Sequence, residues 1–172
     1  LTRRLTEFQR SGDPAVVLDA AVPDEIGELW PLVQPADPDH PTPAEGARQT
    51  RAHRLVGWVQ QARFAATRSP GELAGAVVTL APLAAQPGAL PEPLRMVLGP
   101  AADPELQAGT GRELLAHARP ADDRMLLEAA VVLLEAAEPT TSARIRRPRA
   151  PGSGADRGGL TDQRPDGRGL RE

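Results

Sequence analysis

Asp13-Pro14-Ala15-Val16-Val17-Leu18 decides the fold, because the chain uses its pattern twice more: Ser69-Pro70-Gly71-Glu72-Leu73 and Asp122-Asp123-Arg124-Met125-Leu126-Leu127. Each version sets a polar capping residue ahead of an Ala/Val/Leu segment. The anchor leucines, Leu18, Leu73 and Leu127, stand 55 and 54 residues apart. A helical unit that recurs at fixed spacing implies stacked units that jointly bury what each alone leaves exposed. The expected fold is therefore all-α: a short helical-repeat solenoid, right-handed, of roughly six to eight helices.

Working outward, each segment reads as a helix with a start signal. Thr2 to Arg10 puts Leu5 and Phe8 on one face, and Ser11-Gly12 closes it. Leu18, Val22, Ile26 and Leu29 recur at helical spacing, with Pro23 dividing them into two short helices. Thr42-Pro43-Ala44-Glu45 has capping-box spacing and opens the longest helix, to about Ala66, with Leu55, Trp58, Val59 and Ala62 as its apolar stripe. Ser69 to Glu72 reads as a second capping box, and Pro82 ends or kinks the helix it starts. Leu94 to Leu98 is a short helix. Asp103-Pro104 starts another, which Gly109 and Gly111 interrupt; Thr110 to Glu113 then reads as a third capping box. The last helix runs from Arg124 to Ala137, with Leu126, Leu127, Ala130, Val131, Leu133 and Leu134 inward. No segment alternates polar and apolar residues over strand length, so no sheet is expected.

Composition bounds the core and the chemistry. Apolar residues make up 40% of the chain, but Ala dominates them and the only aromatics are Phe8, Trp30, Trp58 and Phe64. Ala contributes little burial, so the core should be thin. Cys is absent, which removes disulfides, thiolate metal sites and cysteine nucleophiles and fits a cytoplasmic address. Lys is absent, which removes a Walker-A lysine and a Schiff-base lysine. No apolar run is long enough to span a membrane. Charge is uneven: residues 1–138 hold 12 Arg against 19 Asp and Glu, while 139–172 hold 8 Arg against 4. The division into a helical repeat domain, 1–138, and a disordered Arg/Gly/Pro-rich tail, 139–172, follows from that contrast.

Candidate chemistry is sparse. Asp37, Asp39 and His40 are close in sequence but lie in a Pro-rich loop without the spacing of helical ligand pairs, so no metal is expected. His53 has no carboxylate near it in sequence and reads as a core-edge or surface histidine. Gly152-Ser153-Gly154 lacks the flanks of a nucleophile elbow. Arg144, Arg146, Arg147 and Arg149 are able to hold phosphates, yet no aromatic is interleaved for base stacking. Neither an enzyme nor a cofactor site is expected. Arg51, Arg54, Trp58 and Gln61 on the long helix are the candidate partner-binding residues, with a buried structural Trp58 as the competing reading.

Three stretches resemble a known family. Ser11-Gly12-Asp13-Pro14 through Ala21 is similar to the repeated TGDP…LD.A helix start of tetratricopeptide-like repeat regions in large actinobacterial proteins, many of which end in a CHAT domain, a caspase-like protease fold. Asp37-Pro38-Asp39-His40-Pro41 resembles their inter-repeat loop. Leu55-Val56-Gly57-Trp58, Ala76 to Leu83 and Leu90 to Arg95 resemble a recurrent N-terminal stretch. The resemblance covers residues 1–138. It implies a non-catalytic arm that binds a protein or peptide, the recognition end of a larger protein. The chain departs from the family in its spacing, longer than the 34 of an ordinary tetratricopeptide unit, and in having no Cys for a CHAT protease. The repeat texture stops after Glu138. The tail then reads either as a disordered arm, through which nucleic acid is the alternative partner, or as a GC-rich message out of frame. In the latter case the chain is a truncated reading frame without independent function.

Overall fold

Caps and prolines divide the chain into short helices. In a computed structural model, which describes residues 1–34, 42–86 and 88–138, every regular element is helical. The helices are α1 (Thr2–Ser11), α2 (Ala15–Leu18), α3 (Val22–Val33), α4 (Pro43–Thr67), α5 (Pro70–Leu80), α6 (Glu92–Leu98), α7 (Pro104–Ala121) and α8 (Arg124–Ala137). A 3-10 turn, Ala81–Leu83, follows α5 and contains Pro82. Among the described residues, the all-helical class and the eight helices agree with the sequence reading. The tail, 139–172, and the loop holding Asp37, Asp39 and His40 lie outside the described residues.

Side-chain oxygens placed just ahead of a helix receive its first N–H groups at α2, α4, α7 and α8. Thr42 and Glu45 form a reciprocal capping box on α4: Glu45 N–H donates to Thr42 Oγ1 at 3.3 Å, and Thr42 N–H donates to Glu45 Oε2 at 2.8 Å. Asp103 accepts from Glu105 N–H at 2.9 Å, and Asp123 from the N–H groups of Met125 and Leu126. Asp13 accepts from Ala15 N–H ahead of α2. Pro23 sits in the first turn of α3, where its missing N–H costs no hydrogen bond.

Two expected starts are corrected. Ser69 precedes α5 without a side-chain cap bond, and the Glu72 side chain, which a capping box would turn back to Ser69 N–H, instead accepts from Arg63 Nε at 2.6 Å. Thr110 does not open a helix: α7 runs unbroken from Pro104 to Ala121. Gly111 is a contact point rather than a break. A Cβ there would lie 2.9 Å from Leu134 Cγ, so its absence lets α7 and α8 approach closely.

The packing order is α3 on α4, α4 on α5, α5 on α8 and α8 on α7, with α6 against α7 and α8. The main core is built from α5, the 89–98 segment, α7 and α8, including Leu80, Leu114 and Leu133, all fully buried. A smaller cluster joins Val33, Ala52 and Val56 with Ile26, Leu29 and Trp30. Among the described residues, eight of the 23 buried apolar ones are Ala and none is aromatic, so this core is thin.

The anchor leucines need correction. Leu18 is 40% and Leu127 37% exposed, while their neighbours Val17 and Leu126 are buried. Leu73 is half-buried. The phrase marks helix starts, but its leucines do not occupy equivalent core positions. Val131, also expected inward, is exposed.

Candidate functional site

The long helix α4 presents two faces of different character. Ala52, His53, Val56, Gly57, Val59 and Gln60 are buried. Arg51, Arg54, Trp58 and Gln61 follow one another at steps of three, four and three residues, which aligns them along another face of the same helix. The four predicted residues therefore share one strip. Arg51 and Arg54 are exposed, and Trp58 and Gln61 half-buried. Arg48, also exposed, stands one turn before Arg51 and extends the strip with a third guanidinium. Arg48 is not among the four residues named from the sequence; its three-residue offset from Arg51 sets it on the same strip.

Trp58 joins the strip to the core. Its ring packs against the main cluster, and its Nε1–H donates to the Ala89 carbonyl at 2.7 Å. The bond ties α4 to the turn that carries the buried Ala89 and Leu90. Outside, the Arg54 guanidinium carbon lies 5.7 Å from the Trp58 ring centroid, within cation–π range. Trp58 thus packs one part of its ring against the core and leaves another part beside Arg54 at the surface.

Behind the strip lies a polar trio that sequence reasoning did not assemble. His53 Nδ1–H donates to the Thr79 carbonyl at 2.7 Å, and Thr79 Oγ1–H donates to Gln60 Oε1 at 3.1 Å. All three residues are buried. The signal was present: His53 and Gln60 are seven residues apart, hence on one face. The trio makes His53 a satisfied core-edge histidine. Gln60 also lies over Gly75, where any Cβ would collide with its side-chain amide.

Two clefts accompany these elements. One, of about 250 Å³, is lined by Ala84, Ala85, Gln86, Gly88, Leu90, Arg95 and Pro100. Its Arg95 pairs with Glu92 at 2.8 Å. The other, of about 420 Å³, lies between α1 and α3 and is lined by Arg3, Arg4, Glu7, Val16 and Glu25, with Leu1. There Arg4 pairs with Glu25 at 2.8 Å and with Asp19 at 3.2 Å. The Ala21 N–H and then Arg4 hold the Asp19 carboxyl below the usual carboxylate range.

Among the described residues, no three His, Asp or Glu side chains gather as a metal-ion group, and no helix is long and apolar enough to cross a membrane. No family model, curated protein or solved structure matches the chain.

Proposed function

We propose that this protein is a non-catalytic, tetratricopeptide-like interaction scaffold whose α4 strip binds an acidic peptide. The observation that carries the reading is the strip itself: Arg48, Arg51 and Arg54 exposed on successive turns of α4 beside a Trp ring fixed to the core. Guanidinium groups form charge-assisted, often bidentate hydrogen bonds with carboxylates. A platform already held in place loses little rotamer freedom on binding. The fitting ligand carries two or more Asp or Glu residues around one aliphatic or aromatic side chain, which lies on Trp58 beside Gln61. The resemblance to tetratricopeptide-like repeats of CHAT-domain proteins supports a peptide partner over a small molecule. A solenoid built from such helices would place the strip along a groove continued by further repeats.

The test is a panel of labelled peptides with matched length and graded acidity, read by fluorescence anisotropy against the full chain. Acidic peptides should bind, more weakly as salt rises. The Arg51→Glu/Arg54→Glu variant should lose at least about tenfold in affinity while its circular-dichroism melt stays in place. Equal binding by neutral peptides, or full affinity in that variant, would reject the strip as the site.

A further inference from the structure

The outer face of α8 carries a second surface. Leu127 is 37% and Val131 51% exposed, one turn apart on the helix. Among the described residues, they are the only exposed large apolar side chains that share a helix at that spacing. Arg124, Glu128 and Glu135 are exposed on the same side, with Arg124 toward the start of the helix and Glu135 toward its end. Neither Arg124 nor Glu135 forms an ion pair among the described residues. The opposite side of α8 is committed, with Leu126, Ala129, Ala130 and Leu133 buried in the main core.

We propose that this face binds a second copy of the chain, α8 against α8 in antiparallel register. The argument is self-complementarity. A two-fold axis beside the midpoint of Leu127 and Val131 sets Leu127 of each copy against Val131 of the other, so two apolar pairs form the centre. The same register carries Arg124 of each copy beside Glu135 of the other, and the two charge pairs flank the apolar centre. A parallel arrangement would instead set Arg124 against Arg124 and Glu135 against Glu135. Glu128 of both copies lies on the same face of the dimer, to the side of the apolar centre. The seam is short, since fourteen residues of helix span about 21 Å. The dimer is accordingly weak and concentration-dependent, and it is separate from the α4 strip.

Sedimentation equilibrium of the full chain, from low micromolar to near-millimolar concentration, tests the proposal. The expected result is a reversible monomer–dimer equilibrium. Val131→Asp should remove it, and because Val131 is exposed this variant should keep the wild-type helical signal and melt. Arg124→Glu should raise Kd about tenfold or more, and the double swap Arg124→Glu/Glu135→Arg should restore association. The rescue separates a specific antiparallel seam from general stickiness. A chain that stays monomeric throughout the range overturns the proposal. So does a dimer indifferent to Val131→Asp, or a double swap that fails to recover what the single swap lost.

Discussion

Trp58 shows how one side chain divides its surface between two tasks. Its ring supports the main cluster, its N–H holds the Ala89 carbonyl, and its outer face receives Arg54. Replacing it with Ala removes all three contacts and should cost about 3 kcal/mol, toward the lower end for an aromatic deletion because the ring is only half-buried. Trp58→Phe keeps most of the ring contact and leaves the Ala89 carbonyl without its donor, which should cost about 1 kcal/mol. Urea midpoints of the two variants against the wild type separate packing from the hydrogen bond; equal losses would assign the whole effect to the N–H. Asp123 is the corresponding single point on α8, where one carboxylate oxygen accepts from two backbone N–H groups. Asp123→Ala should cost about 1 kcal/mol, and Asp123→Ser should recover most of it in the same melt.

At the scale of the helix, the α4 capping box predicts a pH response. The Thr42 hydroxyl and then the Thr42 backbone N–H hold the Glu45 carboxyl below its ordinary value. A carboxylate whose folded pKa is depressed contributes stability that is fully present above its unfolded pKa and is lost as pH falls through the folded pKa. Stability should therefore decline on acidification below the ordinary glutamate range, with Asp19 adding a slope of the same sign. Glu45→Gln should flatten the decline; an unchanged slope of melting temperature against pH would remove the box as a contributor. Start signals of this kind were legible in the sequence because cap and helix are adjacent. Thr42, Asp103 and Asp123 all cap as read. The Ser69 box was not legible as false, because the competitor for Glu72 is Arg63, nine residues away on another helix. Gly109 and Gly111 read as breakers because sequence shows missing side chains, not the Leu134 that fills the space at Gly111. Leu18 and Leu127 were out by one position. In a helix rich in Ala, Val and Leu, neighbours such as Leu126 and Leu127 have equal claim to the core, and only the packing partner decides between them. The alignment of Arg51, Arg54, Trp58 and Gln61 along one face was legible from spacing alone, whereas the anchoring of Trp58 required the turn at Ala89.

Across the whole set of helices, stability is distributed unevenly, and α4 is the element that joins its parts. The main cluster draws on α5, α6, α7 and α8, while the smaller one holds α3 against the first half of α4 through Val33, Ala52 and Val56. α1 has no buried residue at all. Regions with few buried apolar contacts open at lower free energy than the core. Arg63 limits that opening: its Nη1–H donates to the Val17 carbonyl at 2.9 Å and its Nε–H to Glu72 at 2.6 Å, so one guanidinium ties α2, α4 and α5 together. The pair is largely shielded, with side-chain exposures of 16% and 21%. Removing one partner of a shielded pair leaves the other charge unmatched, which costs more than the pair itself contributes. Arg63→Met keeps the aliphatic stem and deletes both bonds. Native-state hydrogen exchange should then quicken in α1, α2 and α3, while α5 and α8 retain wild-type protection. Arg63→Met/Glu72→Gln, which removes the stranded carboxylate, should recover part of the lost melting temperature but none of the lost protection at Val17. Uniform acceleration across all helices would mean that the molecule opens as one unit, and the division into a firmer main core and a looser first part would fall with it.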